Sequence, residues 1–215
     1  MEKLLAFSCF LLVFNNAFTQ RQISYNPQMA QHFDLLNGKP FEDLMLEDTA
    51  GNIFHTSSLL GKAVYVDFWF TACAPCLKEI PYSEVLQESF AKDSGEVAFL
   101  NICIENIDQK PVWKQVVREK KMSGIQLFYA RNRPQRINLL REYKITFPTY
   151  ILLNKEMNVI GYDVPRPSES WTAWAIEEAK KGVLLSEAYK AVGEKSKEFM
   201  EFTKNKQSDL NKVKE

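Results

Sequence analysis

Hydrophobic positions in this chain cluster into runs of strand length that alternate with amphipathic stretches. Residues 63–70 (Ala63-Val64-Tyr65-Val66-Asp67-Phe68-Trp69-Phe70), 96–104 and 125–130 are nearly continuous apolar runs, and 75–91, 110–122 and 134–143 carry helical patterns between and after them. Strands without polar alternation are buried on both faces, so the pattern predicts an α/β fold with a central mixed sheet and helices on both sides. Residues 150–154 and 159–162, separated by Lys155-Glu156-Met157-Asn158, read as a closing antiparallel hairpin. A helix over 168–181 follows, with Ser168 as its N-cap.

The flanks differ from this central part, which spans 40–182. Residues 41–55 split into two short strand-like pieces around the turn cluster Asp48-Thr49-Ala50-Gly51-Asn52, an N-terminal β-hairpin addition. Ser57 to Lys62 reads as a short turn before the main strand. Residues 20–39 lack periodicity and read as an extended lead-in. Residues 183–215 are rich in Lys and Glu, with Leu185, Tyr189, Val192, Phe199 and Phe202 at roughly helical spacing, a C-terminal charged amphipathic helix. Such a helix either packs on the domain or serves a partner.

Met1-Glu2-Lys3, the apolar run Leu4 to Phe14 and the small or polar residues after it form a leader pattern over residues 1–19. The run is short for a membrane span. A cleaved signal peptide implies export to the periplasm or secretion, and an uncleaved anchor implies membrane contact. Cys9 lies too early in the run for lipid attachment.

Composition adds exclusions. Of 215 residues, 46% are hydrophobic, enough for a real core, and 27 basic side chains balance 27 acidic ones. Balanced charge gives no electrostatic argument for a nucleic-acid partner. Without Cys9, three of the four cysteines remain, Cys73, Cys76 and Cys103, too few for a structural disulfide framework. Cys103 sits within the apolar run Val97 to Ile104, as a buried inert thiol or as a resolving cysteine.

The chemistry concentrates at Cys73-Ala74-Pro75-Cys76, between the 63–70 run and the helix that begins there. A cysteine at a helix N-terminus faces unpaired backbone N–H groups and the positive end of the helix dipole, which stabilise a thiolate. Asp67 interrupts the most apolar run six residues earlier. It is either a buried carboxyl with a raised pKa, able to relay protons, or a solvated edge-strand side chain. Glu79 follows Cys76 by nearly one helical turn and faces either the site or solvent, with Pro81 behind it as a potential inward kink. In Thr146-Phe147-Pro148-Thr149 a proline immediately precedes a strand. An X–Pro bond there can be cis or trans, and the cis form leaves the Phe147 backbone free to pair with an extended segment.

Together these residues resemble the thioredoxin fold, and within it the TlpA/ResA branch of exported thiol–disulfide oxidoreductases. The resemblance covers about Pro40 to Lys181: Leu46 to Asn52, Val66-Asp67-Phe68-Trp69, the Cys-x-Pro-Cys pair, Glu79-Ile80-Pro81 and Phe147-Pro148-Thr149. It implies Cys73 as nucleophile, Cys76 as resolving cysteine, Asp67 and Glu79 as proton-handling carboxyls, and Pro148 as a cis-proline facing the disulfide. Phe147, Pro148, Thr149, Ala74 and Pro75 are then the expected substrate-binding residues. The implied partners are a disulfide-containing protein substrate and an upstream membrane electron donor. Ala72 departs from the pattern, standing where a Trp is usual and removing a flat aromatic wall beside the nucleophile.

Ala74-Pro75 offers the sulfur no polar side chain and Pro75 no N–H, which favours the disulfide and hence a reductase. A peroxiredoxin-like peroxidase requires Thr at the position of Phe70 and Pro at that of Val66. A non-catalytic binding or chaperone module is the other reading. No metal or cofactor is expected: Cys73 and Cys76 could supply half a zinc site, but no second pair exists, and His32 and His55 lack ligand spacing to them.

Overall fold

The computed structural model describes residues 26–134 and 136–194. The run that begins at Ala63 becomes β3 (Ala63–Trp69), buried at every position. It is flanked by β4 (Val97–Glu105), also wholly buried, and β6 (Thr149–Leu153). β3 pairs parallel with β4, and β4 parallel with β5 (Ile125–Ala130). β6 runs antiparallel to β3, and β7 (Val159–Tyr162) antiparallel to β6. The hairpin of β1 (Met45–Asp48) and β2 (Ile53–His55) joins the far edge through β5, giving the order β2-β1-β5-β4-β3-β6-β7 among the described residues. This is the thioredoxin-like mixed sheet with its hairpin addition that the resemblance implies.

Alternate residues of β3 feed opposite faces, as the strand period requires. Val64, Val66 and Phe68 join Leu100, Ile102, Ile104, Leu127 and Ile151 in one core. Ala63 and Tyr65 join Phe99, Tyr150 and Leu152 in another, covered by α2 (Ala74–Ser89) and α5 (Thr172–Lys180). At the hairpin turn the Asp48 carboxylate accepts from Ala50 N–H at 2.9 Å and Asn52 N–H at 2.8 Å, while Gly51 adopts φ 97°, a conformation open to glycine without a Cβ clash.

Three expected elements are corrected. Within the lead-in, Pro27–Phe33 is a helix, α1, not extended chain. Asn26 caps it by accepting from Gln28 N–H at 2.9 Å, and Pro27 occupies its first turn, where its missing N–H costs nothing. Phe33 packs against Tyr189 of α6 (Leu185–Glu194), with ring centroids 5.7 Å apart. Leu185, Ala188, Tyr189 and Val192 are buried, so the described part of the C-terminal helix packs on the domain. Phe199 and Phe202 lie outside the described residues, as do the leader and residues 20–25.

The helix expected over 134–143 is only α4 (Leu139–Glu142), because the Asn138 side chain accepts from Arg141 N–H and starts a new helix there. The helix expected from Ser168 starts at Thr172 instead. Its hydroxyl bonds back to the Arg166 and Glu169 carbonyls, and Ser168 is engaged elsewhere. α3 (Lys110–Glu119) matches its helical pattern, ending slightly early.

Candidate active site

The parallel strands β3, β4 and β5 end at one edge of the sheet, and there β3 leads into α2. Cys73 is the N-cap of α2: its N–H donates to the Phe70 carbonyl at 3.0 Å, and its Sγ accepts from the Cys76 N–H at 3.2 Å. The helix dipole and the free N–H groups of its first turn therefore point at this sulfur. Cys73 and Cys76 form a disulfide, with Cα atoms 5.2 Å apart. Both are buried against Trp69, Cys103, Trp113 and Phe128, while Ala72, Ala74 and Pro75 form an exposed rim over them.

The loop before Cys73 is held by Glu105, a residue that sequence reasoning missed. Its Oε1 accepts from the Thr71 hydroxyl at 2.8 Å and from Thr71 N–H at 3.3 Å. A carboxylate closing an otherwise apolar strand was the available signal.

Phe147-Pro148 is a cis peptide bond. Phe147 leans on the cysteine cluster and meets Phe70 edge to face at 4.9 Å. Pro148 is buried. Thr149, an expected substrate-binding residue, is fully buried, and its hydroxyl donates to the Thr146 carbonyl while accepting from Thr146 N–H. Its side chain fixes the turn that presents Phe147.

Both candidate carboxyls are buried. Asp67 is buried on β3, between Asn101 of β4 and Tyr150 of β6 in the strand registers. Burial, with the charge of Glu79 adding to it, pushes its carboxyl up to about 8. Its Oδ1 and the Tyr150 hydroxyl are buried without a hydrogen-bond partner. Burial, with the Asp67 and Glu79 charges next, also raises the Tyr150 phenol far above its ordinary value.

Glu79, on α2, is buried as well. Its two oxygens accept from Ser168 N–H at 2.9 Å and from the Ser168 hydroxyl at 3.0 Å. The inward placement read from Pro81 holds, with Ser168 as the group that secures it.

Cys103 is a free thiol inside the same cluster, and burial above all pushes it to values at which it stays protonated. The histidines sit elsewhere, His32 on Asp163 at 3.0 Å and His55 on Asp43 at 3.3 Å. Among the described residues no group of three or more His, Cys, Asp or Glu could hold a metal ion.

Comparison with known proteins bears on the whole of this arrangement. The redoxin family pattern matches residues 36–179. Thiol-disulfide oxidoreductase ResA of Bacillus subtilis is 35% identical over 78 residues, 36% of this chain and 44% of that protein. ResA of Bacillus cereus is 26% identical over 166 residues, 76% of this chain and 74% of that protein. The match thus spans less than half the length of the Bacillus subtilis relative. The crystal structure of the thioredoxin domain of a thiol-disulfide oxidoreductase from Bacteroides vulgatus superposes with a TM-score of 0.53 at 27% identity, covering 60% of this chain and 89% of that one.

Proposed function

This chain belongs to the redoxin family, and from that premise we propose that it is an exported thiol–disulfide oxidoreductase that reduces protein disulfides through a Cys73–Cys76 dithiol/disulfide cycle. The observation that carries the reading is the disulfide at the N-terminus of α2, with Cys73 Sγ already accepting a backbone N–H and an exposed rim of Ala72, Ala74 and Pro75 around it.

In the reduced protein the Cys73 thiolate attacks a substrate disulfide, forming a mixed disulfide and releasing one substrate thiolate. The Cys76 thiol gives its proton to a buried carboxylate and attacks Cys73 Sγ. The second substrate thiolate leaves, so two electrons pass from the dithiol to the substrate. Asp67 suits the proton-accepting role. Burial raises its carboxyl to about 8, so it acts as the base in its ionised fraction, which grows as pH rises, and it holds the proton firmly once taken. Glu79 beside it modulates that proton through its charge.

An external dithiol donor must then reduce Cys73–Cys76. Phe147, presented by the cis turn beside the cysteine cluster, and the Ala74-Pro75 rim are the surfaces for an extended substrate segment. Export rests on the leader pattern of residues 1–19. Among the described residues, no helix is long and apolar enough to cross a membrane.

The alternative of a non-catalytic binding module is separated by insulin reduction with dithiothreitol. The protein should accelerate precipitation of the insulin B chain, and a Cys73→Ser variant should not. A wild-type rate equal to that of dithiothreitol alone would overturn the oxidoreductase reading. A peroxidase is disfavoured by Val66 and Phe70 at the positions where that class needs Pro and Thr.

A further inference from the structure

We propose that Ser168 is a positioning residue of this site, whose backbone N–H and hydroxyl together hold the Glu79 carboxylate against the buried face that carries Asp67 and Tyr150. The inference rests on the thiol–disulfide reading for its consequence and on geometry for its substance.

Ser168 and Glu79 lie 89 residues apart in sequence, yet both donors of one residue reach both oxygens of one carboxylate, at 2.9 and 3.0 Å. A serine just ahead of a helix would ordinarily cap it. Here α5 starts at Thr172 with no side-chain cap from its N-cap residue Trp171, and the Ser168 hydroxyl is diverted to Glu79.

The segment bearing Ser168 is itself anchored. The Tyr65 hydroxyl on β3 donates to the Pro165 carbonyl at 2.7 Å, and the Glu169 N–H and the Thr172 hydroxyl both donate to the Arg166 carbonyl, at 2.9 and 2.5 Å. Pro165 and Pro167 each fix one backbone dihedral of that segment. The donors are therefore presented in place rather than recruited from a free loop.

One donor on each oxygen fixes the position and orientation of the carboxylate. The charge of Glu79 raises the Asp67 carboxyl, so the group that holds Glu79 in place acts on the Asp67 proton. The other ionisable groups coupled to this region are Tyr65 on β3, Tyr150 on β6, and Arg166 and Glu169 ahead of α5. Of these only Arg166 is cationic, and Ser168 supplies neutral hydrogen-bond donation to Glu79.

The test follows the side-chain carboxyl carbons of Asp67 and Glu79 by NMR between pH 4 and 10 in the full-length oxidised protein. Ser168→Ala should lower the Asp67 titration from about 8 by about half a pH unit, because a Glu79 released from the Ser168 hydroxyl no longer holds its charge in place there, and Ser168→Thr should restore it. Where the alanine variant does not fold, Ser168→Cys, a weaker donor on the same frame, makes the same comparison. An unmoved titration in a folded variant overturns the proposal. The pH profile of insulin reduction should shift by the same amount in Ser168→Ala and not when the change is made on a Glu79→Gln background. Because the titration is read without substrate, a shifted Asp67 in a protein that fails to reduce insulin supports the positioning role while refuting the oxidoreductase reading.

Discussion

Asp67 and Tyr150 lie directly opposite each other in the antiparallel register of β3 and β6, and each brings a buried polar atom with no hydrogen-bond partner: Oδ1 of the aspartate and the phenol hydroxyl. Directly opposed side chains of paired strands share one face of the sheet. Here that face lies beneath α2, so a hydroxyl and a carboxyl are confined together in a mainly apolar core.

A buried hydroxyl without a partner is a net cost to the fold of about 1–3 kcal/mol. Tyr150→Phe keeps the ring stacked on Tyr65, at 5.4 Å between centroids, and removes only the oxygen. The variant should be as stable as the wild type or more so by about 1 kcal/mol. Urea unfolding of the oxidised protein at neutral pH measures this, and a clear loss of stability would mean that the hydroxyl has a partner in solution.

Asp67 makes stability depend on pH. Its folded-state value of about 8 lies above its ordinary 3.8, so between these values the folded state binds the proton that the unfolded state has released. The stabilisation is complete below about 4 and is lost as pH rises through about 8, with a slope of at most about 1.4 kcal/mol per pH unit. Asp67→Asn should flatten this region of the profile. Urea midpoints taken at closely spaced pH values from weakly acidic to weakly alkaline on both proteins provide the check.

The two thiols should differ in kind. Reduced Cys73, at the end of the helix dipole, should react with iodoacetamide near neutral pH, with an apparent pKa in the roughly 3.5–7.5 range of activated cysteines, while Cys76 is labelled more slowly. Cys76→Ser should accumulate a mixed disulfide with a substrate protein, and Cys73→Ser should not. Peptide mapping after limited alkylation reads the first point and non-reducing electrophoresis the second. Faster labelling of Cys76 would exchange the two roles.

At Gly161 on β7, Leu185 of α6 packs close over the strand. A Cβ there would stand 2.7 Å from Val164 Cγ1 and 3.1 Å from Leu185 Cδ2. Gly161→Ala should therefore cost about 1–3 kcal/mol through overpacking and loosen α6 before the rest of the domain. Thermal unfolding together with hydrogen exchange in residues 185–192 measures both effects.

Local chemistry explains how much could be read in advance. Continuous apolar runs pointed to strands buried on both faces, the Cys-x-x-Cys position pointed to a thiol at the first turn of a helix, and a carboxyl inside the 63–70 run was a candidate for burial. α1, by contrast, is a seven-residue helix with its own cap but no hydrophobic periodicity long enough to register, and it is held by Tyr189, 163 positions from the Asn26 cap whose N–H its hydroxyl accepts.

Sequence alone determined the alternation of elements and the position of the Cys73-x-x-Cys76 pair after the main strand, because these depend on neighbours within a few residues, and the resemblance added Asp67, Glu79 and Pro148 as candidates. Tertiary structure decided the rest. Ser168 looked like a helix cap and serves Glu79 from 89 positions away, Glu105 secures the loop ahead of Cys73, and Thr149 withdraws from the surface to brace its own turn. A hydroxyl or carboxylate bonds whichever complementary group the packed chain brings within about 3 Å, and that group is chosen by the three-dimensional arrangement of strands and helices rather than by spacing along the chain.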